Sequence, residues 1–114
     1  MKISEIAKIL NARYAVDGGT DAEIKNACGS DMMSDVLAYV KDQVILLTGL
    51  NNPHVIRTCE MMDIVCVALV RGKEPNELLL SLAKERGITV LVTDYPMFPA
   101  CGKLYAAGLG SSRS

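Results

Sequence analysis

Three short runs of the chain are apolar at every position, and they constrain the fold more than any other feature. These runs cover residues 44–47, 64–70 and 88–92. Continuous apolar runs that are rich in β-branched residues are typical of strands covered on both faces. Between the runs, apolar residues recur at helical spacing: Val55, Ile56, Cys59 and Met62 in the first gap, and Leu78, Leu79, Leu82 and Ala83 in the second. This alternation of strands and helices predicts a parallel sheet.

Proline, glycine and serine residues indicate where the helices begin and end. Pro53 and Pro75 predict the first turns of two helices. Proline is favoured in a first turn because the backbone N–H that it lacks would have no partner there. Gly87 follows three charged residues and predicts a helix end. Ser4 and Ser30 are expected to cap two further helices. The apolar faces of those helices would be Ile3, Ile6, Ala7 and Leu10 in the first, and Met32, Met33, Val36, Leu37 and Val40 in the second.

The remaining segments complete a single α/β domain over residues 1–114. Residues 1–20 are interpreted as an N-terminal helix followed by a turn, with short strands at 13–16 and 23–28. The second of these is mixed in polarity, as an edge strand would be. Residues 96–107 are expected to form a helix, and residues 108–114 a flexible tail. The predicted fold is a mostly parallel sheet of about four to five strands with helices on both faces.

Composition and charge exclude several classes of function. The chain has 114 residues, of which 50% are apolar, and its formal net charge is −1, so it lacks the basic surface that nucleic acids require. Its apolar runs are shorter than the roughly 20 residues of a membrane helix, and we expect a cytoplasmic protein. The four cysteines contain no C-x-x-C pair and the chain has one histidine, so we expect buried thiols and neither a metal nor a cofactor.

A ligand site is expected where the parallel strands end. In open α/β sheets, ligands bind beyond the carboxyl ends of the strands, where loops diverge and helix N-termini offer unpaired N–H groups. Loops of this kind are also polar and glycine-rich simply because they turn the chain, so this pattern alone leaves both interpretations open. The candidate ligand-binding residues are Gly29, Ser30, Asp31, Thr48, Gly49, Asn51, Arg71, Gly72, Thr93 and Tyr95.

No catalytic motif is recognised. The loops match neither G-x-G-x-x-G nor the G-x-x-x-x-G-K-[ST] pattern of a P-loop. His54, at the start of a helix, could act as a base with Asp31 or Asp94, but no nucleophile pairs with it in the sequence. Asp31 and Asp35 lie one helical turn apart and could hold a divalent ion, although a first-turn carboxylate more commonly complements the helix dipole. We therefore assign no catalytic residue and no metal ligand.

Three segments of the chain together resemble the DRTGG domain family. They are residues 29–37 (GSDMMSDVL), 47–49 (LTG) and 92–98 (VTDYPMF), and the resemblance covers most of residues 20–107. The five-letter signature itself is absent, and the stretch from Thr48 to Asn52 stands at the strand end where it would be sought. The resemblance implies an α/β module similar to the N-terminal domain of the kinase that phosphorylates the sugar-transport phosphocarrier protein. It also implies a regulatory or dimerising role rather than catalysis, as in pyrophosphatases that carry this domain between nucleotide-sensing domains.

Three functional hypotheses follow. The first is a regulatory module that forms a homodimer and binds a small anionic metabolite or nucleotide at the strand-end loops. The Met-rich helix over residues 31–40 and an open sheet edge suit a partner surface, although the same methionines could fill the core. The second is an accessory protein that docks to a hydrogenase or a sensor kinase, because stand-alone relatives are often encoded near both. The third is a small hydrolase or transferase that uses His54.

Overall fold

A computed structural model describes residues 1–39 and 42–111 of the chain. Helices and strands alternate along most of it. The helices are α1 (Ile3–Ile9), α2 (Met33–Tyr39), α3 (Pro53–Met61), α4 (Glu77–Arg86) and α5 (Met97–Ala106). The strands are β1 (Arg13–Val16), β2 (Asn26–Gly29), β3 (Val44–Thr48), β4 (Cys66–Leu69), β5 (Thr89–Val92) and β6 (Gly110–Ser111).

The strands form one mostly parallel sheet in the order β1-β5-β4-β3-β2-β6. Strands β2 to β5 run parallel to one another and β6 runs parallel to β2, whereas β1 pairs antiparallel with β5. The three strands predicted from continuous apolar runs are β3, β4 and β5, which lie side by side in the middle of the sheet. Every residue of these three strands is buried, as expected for strands covered on both faces.

Helices cover both faces of the sheet and divide the core into two layers. On one face, Leu46, Val67 and Val90 pack with the apolar sides of α2, α3 and α4. On the other face, Ile45 and Leu91 pack with α1, α5 and Leu109. Neighbouring residues of a strand thus serve opposite layers, because successive side chains point to opposite faces. The predicted α/β class, with helices on both faces, is confirmed.

The end of the chain differs from the flexible tail predicted from Gly108 onward. Leu109 is buried in the core layer beneath α1 and α5. Gly110 and Ser111 form β6, which pairs with Asn26 and Ala27 of β2. The prediction is wrong over residues 108–111, because burial of Leu109 and the pairing of β6 with β2 hold this segment in place. The rest of the predicted tail, residues 112–114, lies outside the described residues.

The N-terminus of α1 is capped from a distant part of the chain. Lys2, not Ser4, is the N-cap residue, and Ser4 lies inside the helix. The Ser4 N–H and hydroxyl donate to the two carboxylate oxygens of Asp21 at 2.9 and 2.7 Å. These two hydrogen bonds hold the pKa of Asp21 below its usual range, and the bond from the backbone N–H has the larger effect. The predicted Ser4 cap is wrong because Asp21 supplies the acceptor that the helix needs.

Two other helix starts differ from the sequence prediction by one or two residues. Helix α2 begins at Met33, and the Ser30 hydroxyl instead accepts from the Met32 N–H at 2.9 Å in the preceding turn. Pro75 precedes the N-cap of α4, which is Asn76, whereas Pro53 is in the first turn of α3 as predicted. Gly87 ends α4 with a φ of 68°, as its position predicted. Val40, which was assigned to the apolar face of α2, lies outside the described residues.

The strand predicted at 23–28 is shorter and is not at the edge. It begins at Asn26, and Glu23 forms an isolated antiparallel bridge with Lys2 instead. Ile24, between the two, donates its N–H to the Met1 carbonyl at 2.7 Å. The first half of the predicted strand therefore pairs with the N-terminus of the chain, and β6 covers the outer side of β2.

Candidate functional site

The loops that follow β2, β3, β4 and β5 meet at one edge of the sheet, as predicted. We call them together the strand-end surface, comprising residues 29–31, 48–52, 71–74 and 93–95. Hydrogen bonds join each loop to the next. The Gly49 N–H donates to Asp31 Oδ1 at 2.6 Å, the Asn51 side chain donates to the Glu74 carbonyl at 2.8 Å, and the Gly72 N–H donates to the Thr93 carbonyl at 2.8 Å.

Asp31 is the residue on which three donors of this surface converge. Its Oδ1 accepts from both the Gly49 N–H, at 2.6 Å, and the Thr48 hydroxyl, at 3.1 Å. Its Oδ2 lies 3.5 Å from Nη2 of Arg71. Thr48 is fully buried, whereas the side chains of Asp31 and Arg71 are each about half exposed, at 45% and 49%. The Asp31 carboxylate therefore lies on the solvent side of the Thr48 hydroxyl and is accessible to solvent.

Arg71 adopts a backbone conformation that is rare for a residue with a side chain. Its φ is 63°, in the left-handed region, and Gly72 follows with a φ of 64°. This turn directs the Arg71 N–H to the Tyr95 carbonyl at 2.9 Å. A non-glycine residue in this region costs about 1–3 kcal/mol and is typical of functional sites.

Gly49 makes room for the arginine side chain. A Cβ atom at position 49 would overlap Nη2 of Arg71 and lie 2.7 Å from its Cζ. The guanidinium therefore lies directly against the backbone of the β3 loop, close to the Asp31 carboxylate. A side chain at position 49 would push the guanidinium outward, so the glycine and the arginine form a matched pair.

Four of the remaining predicted residues have structural contacts. The buried Thr93 hydroxyl donates to the Leu10 carbonyl at 2.6 Å, which ties β5 to the end of α1. Tyr95 lies under the Lys103 ammonium, 4.7 Å from its ring centre. Gly29 faces α5, where a Cβ atom would lie 2.6 Å from the Cys101 sulfur. Ser30 forms the turn before α2. The predicted set thus gathers at one edge, with Asp31, Thr48, Gly49 and Arg71 at its centre.

A second group of polar side chains, not predicted from the sequence, lies beside this surface. Arg13 of β1 donates twice to the Glu74 carboxylate, at 2.9 and 2.8 Å. With Asn11, Val92 and Asp94 the two residues line a cavity of about 170 Å³. The pairing of β1 with β5 brings Arg13 here, and no local pattern in the sequence predicts that pairing. Asn11, whose left-handed φ of 49° asparagine tolerates, indicates only that the chain turns after α1.

The other candidate chemistry of the chain is not assembled in the described residues. The exposed His54 donates its backbone N–H to the Asn52 side chain, and no hydrogen bond joins its imidazole to Asp31 or Asp94 within the described chain. Across residues 1–39 and 42–111, no group of three or more His, Cys, Asp and Glu side chains is placed to hold a metal ion. None of the described helices is long and apolar enough to cross a membrane.

The cysteines differ more in exposure than the sequence analysis expected. All four are thiols, and Cys59 and Cys66 are fully buried as predicted. Burial raises the pKa of Cys59 to about 12 and also raises that of Cys66, so both stay protonated at neutral pH. Cys28 of β2 and Cys101 of α5 are only partly buried, and Cys101 lines an open pocket together with Ala27 and Gly29.

Comparison with known proteins places the chain in a family. The family model of the DRTGG domain matches residues 5–106. A solved structure of the CBS and DRTGG domains of the regulatory region of the Clostridium perfringens pyrophosphatase, complexed with its activator diadenosine tetraphosphate, superposes with a TM-score of 0.77. The identity is 17%, and the match covers 96% of this chain but 48% of that one, so this chain spans about half of that structure. The chain belongs to the DRTGG domain family, as the resemblance of its strand-end segments predicted.

Proposed function

We propose that this chain is a cytoplasmic regulatory module without catalytic activity of its own, which binds a small anionic ligand of the phosphate or nucleotide type at the strand-end surface. The observation that carries this proposal is Arg71. Its backbone is left-handed, its guanidinium lies against Gly49, and it is half exposed beside a buried hydroxyl and a backbone N–H, so a cation and two further donors are grouped at one point of the surface. Arginine is the side chain best suited to planar, bidentate contact with phosphate.

The comparison with the pyrophosphatase regulatory region supports the same proposal. That protein's regulatory region is complexed with a nucleotide activator and includes a domain with the fold found here. The strand-end surface also lies where open α/β sheets generally bind ligands, beyond the carboxyl ends of parallel strands. A regulatory role therefore fits the family and the geometry better than the hydrolase hypothesis, for which no partner of His54 is assembled among residues 1–39 and 42–111.

Ligand binding can be tested by titrating the ¹⁵N-labelled protein with ADP, pyrophosphate and adenosine and following backbone amide resonances. We expect the largest shifts at Gly49, Arg71 and Gly72. Arg71→Gln should lose most of the affinity. Arg86→Gln is the matched control, because Arg86 is also ion-paired and 45% exposed but lies at the opposite end of the sheet, where α4 ends. The proposal would be contradicted if the ligands caused no amide shifts in the wild type, or if the same shifts occurred in Arg71→Gln.

We further propose that the chain self-associates as a homodimer. Helix α5 exposes the side chains of Phe98 (87%) and Tyr105 (74%). Gly102 lies between them, and a Cβ atom there would have no neighbour within 4 Å. Exposed aromatic residues two turns apart on one helix face are of the kind enriched at protein interfaces. On α2, which the sequence analysis favoured, Met33 is buried in the core and Met32 is 59% exposed. The α5 face is therefore the better candidate for the dimer contact.

Light scattering of the purified protein tests this second part. We expect a dimer that Phe98→Ser converts to a monomer, while Leu78→Ser, which alters a 69% exposed residue of α4, leaves the dimer intact. A specific dimer with a micromolar Kd would be almost fully formed at a protein concentration of about 100 µM, so a wild-type monomer at that concentration would overturn self-association. Recovery of a stoichiometric larger enzyme or kinase on the same α5 face would instead favour the docking hypothesis.

A further inference from the structure

The donors that would bind a phosphoryl group at the strand-end surface are already occupied by a carboxylate of the chain itself. The Gly49 N–H and the Thr48 hydroxyl both donate to Oδ1 of Asp31, and Arg71 faces Oδ2. A backbone N–H, a hydroxyl and a guanidinium are the groups that proteins commonly direct at phosphate oxygens. Asp31 thus occupies the place that an anionic ligand would take.

This arrangement sets a condition on the ligand. Asp31 is tethered a few residues from β2, so its effective concentration at the donors is high, in the millimolar range or above. A ligand carboxylate would bring the same charge and the same two oxygens, and it would have no advantage over the tethered group. A terminal phosphoryl group carries about −1.5 to −2 charge and three acceptor oxygens, so it can engage all three donors at once.

Asp31 is also free to leave. Its side chain is 45% exposed, so a displaced carboxylate would move into water and not into the core. Its ion pair with Arg71 is half exposed on both sides, which makes it a weak contact that solvent screens. The geometry therefore allows exchange of one anion for another without rearrangement of the sheet.

We propose that Asp31 is an internal competitor for the ligand at the strand-end surface, so that the site excludes carboxylates and admits phosphorylated ligands, which bind by displacing Asp31. This proposal rests on the proposed function, because it concerns the same site. It goes further in naming the group that competes, the three donors exchanged and the class of anion selected.

Calorimetric titration of Asp31→Asn with ADP, pyrophosphate and acetate tests the competition. Removing the charge should raise the affinity for ADP about tenfold and should also give acetate a measurable affinity. Asp35→Asn is the matched control. Asp35 lies four residues further along, in the first turn of α2, and it carries the same charge but contacts none of the three donors. A gain limited to Asp31→Asn separates local competition from a general change in charge.

The outcomes separate this inference from the proposed function. If the wild type binds ADP but Asp31→Asn binds equally or more weakly, Asp31 is not a competitor and the inference is wrong, while the site itself stands. If neither protein binds ADP or pyrophosphate, the proposed function fails and the inference fails with it. Equal gains for pyrophosphate and ADP identify the phosphoryl group as the ligand, whereas a gain for ADP alone identifies a nucleotide.

A measurement on the wild-type protein does not depend on how the variant folds. The side-chain carboxyl carbon of Asp31 can be followed by ¹³C NMR during the ADP titration. Displacement predicts that this resonance moves in step with the Gly49 amide, because both atoms lose the same hydrogen bond. A Gly49 amide that shifts while the Asp31 carboxyl resonance stays in place would overturn the proposal.

Discussion

At the scale of single residues, the candidate site depends on one small residue facing one large one. Gly49 lacks the side chain that would otherwise collide with the guanidinium of Arg71, and Arg71 holds a left-handed backbone that presents this guanidinium to Asp31. Each residue alone is unremarkable in the sequence. Their relation appears only once the β3 and β4 loops are side by side, because 22 positions separate them in the chain.

Replacing Gly49 with alanine should weaken ligand binding with little effect on stability. The new Cβ atom displaces the guanidinium, so we expect the affinity for ADP to fall about tenfold or more. The backbone of Gly49 is not in the left-handed region and Arg71 is half exposed, so the free energy of unfolding should change by less than about 1 kcal/mol. Calorimetry and urea denaturation measure the two quantities.

Gly102→Ala provides the control for this substitution. Gly102 lies within α5, where an added Cβ atom meets no neighbour. The free energy of unfolding should rise by about 0.5–1 kcal/mol, because alanine favours helix, and the affinity for ADP should stay unchanged. If Gly49→Ala bound ADP as tightly as this control, the role assigned to Arg71 would be wrong.

At the scale of elements, local signals placed the helices well but did not predict all of their caps. Helix α4 is closed at both ends by residues visible in the sequence, with Asn76 accepting from the Leu79 N–H at 2.8 Å and Gly87 in the left-handed conformation. In helix α1 the Glu5 side chain accepts locally from the Lys2 N–H, but the acceptor for the Ser4 N–H comes from the distant Asp21. The difference is physical: a cap within a few residues follows from local geometry, whereas Asp21 requires the fold.

The cap of α4 yields a stability prediction. Asn76→Ala removes the acceptor for the Leu79 N–H and should lower the free energy of unfolding by about 1 kcal/mol, whereas Asn76→Asp keeps an acceptor and should stay within about 0.5 kcal/mol of the wild type. Urea denaturation followed by circular dichroism measures both. Equal stability of the alanine and aspartate variants would show that the side-chain hydrogen bond does not contribute.

At the scale of the whole molecule, the end of the chain belongs to the core. Leu109 completes the apolar layer under α1 and α5, and β6 extends the sheet beyond β2. The sequence suggested a tail here because glycines and serines surround a single leucine. What holds the segment is burial of that leucine, which depends on a surface formed jointly by the neighbouring α5 and by α1, which lies at least 100 positions earlier in the chain.

Two leucine substitutions test the importance of this closure. Leu109→Ala should lower the free energy of unfolding by about 2–4 kcal/mol, since it removes a buried side chain and leaves a cavity. Leu78→Ala makes the same chemical change on α4 at a side chain that is 69% exposed, and should cost less than about 0.5 kcal/mol. If the denaturation curves of the two variants coincided, Leu109 would not be buried as the structure shows.

The sequence by itself determined the α/β class, the three central strands, the helices between them and the edge where polar loops collect. These features depend on short-range patterns, because strand and helix periods and most caps involve residues a few positions apart. The four strand-end loops lie together at one edge as predicted, the ligand-binding role of that edge stays a prediction, and the convergence of its residues on Asp31 was not foreseen.

Only the tertiary structure decided the antiparallel β1, the short β6, the Asp21 cap, the Arg13–Glu74 pair and the contact of Asp31 with Arg71. Each of these joins segments that are at least 17 positions apart and meet only when the sheet closes. Contacts between segments this far apart leave no periodic pattern in the sequence, because they depend on how the layers pack and on which strands pair, not on local turns of the chain.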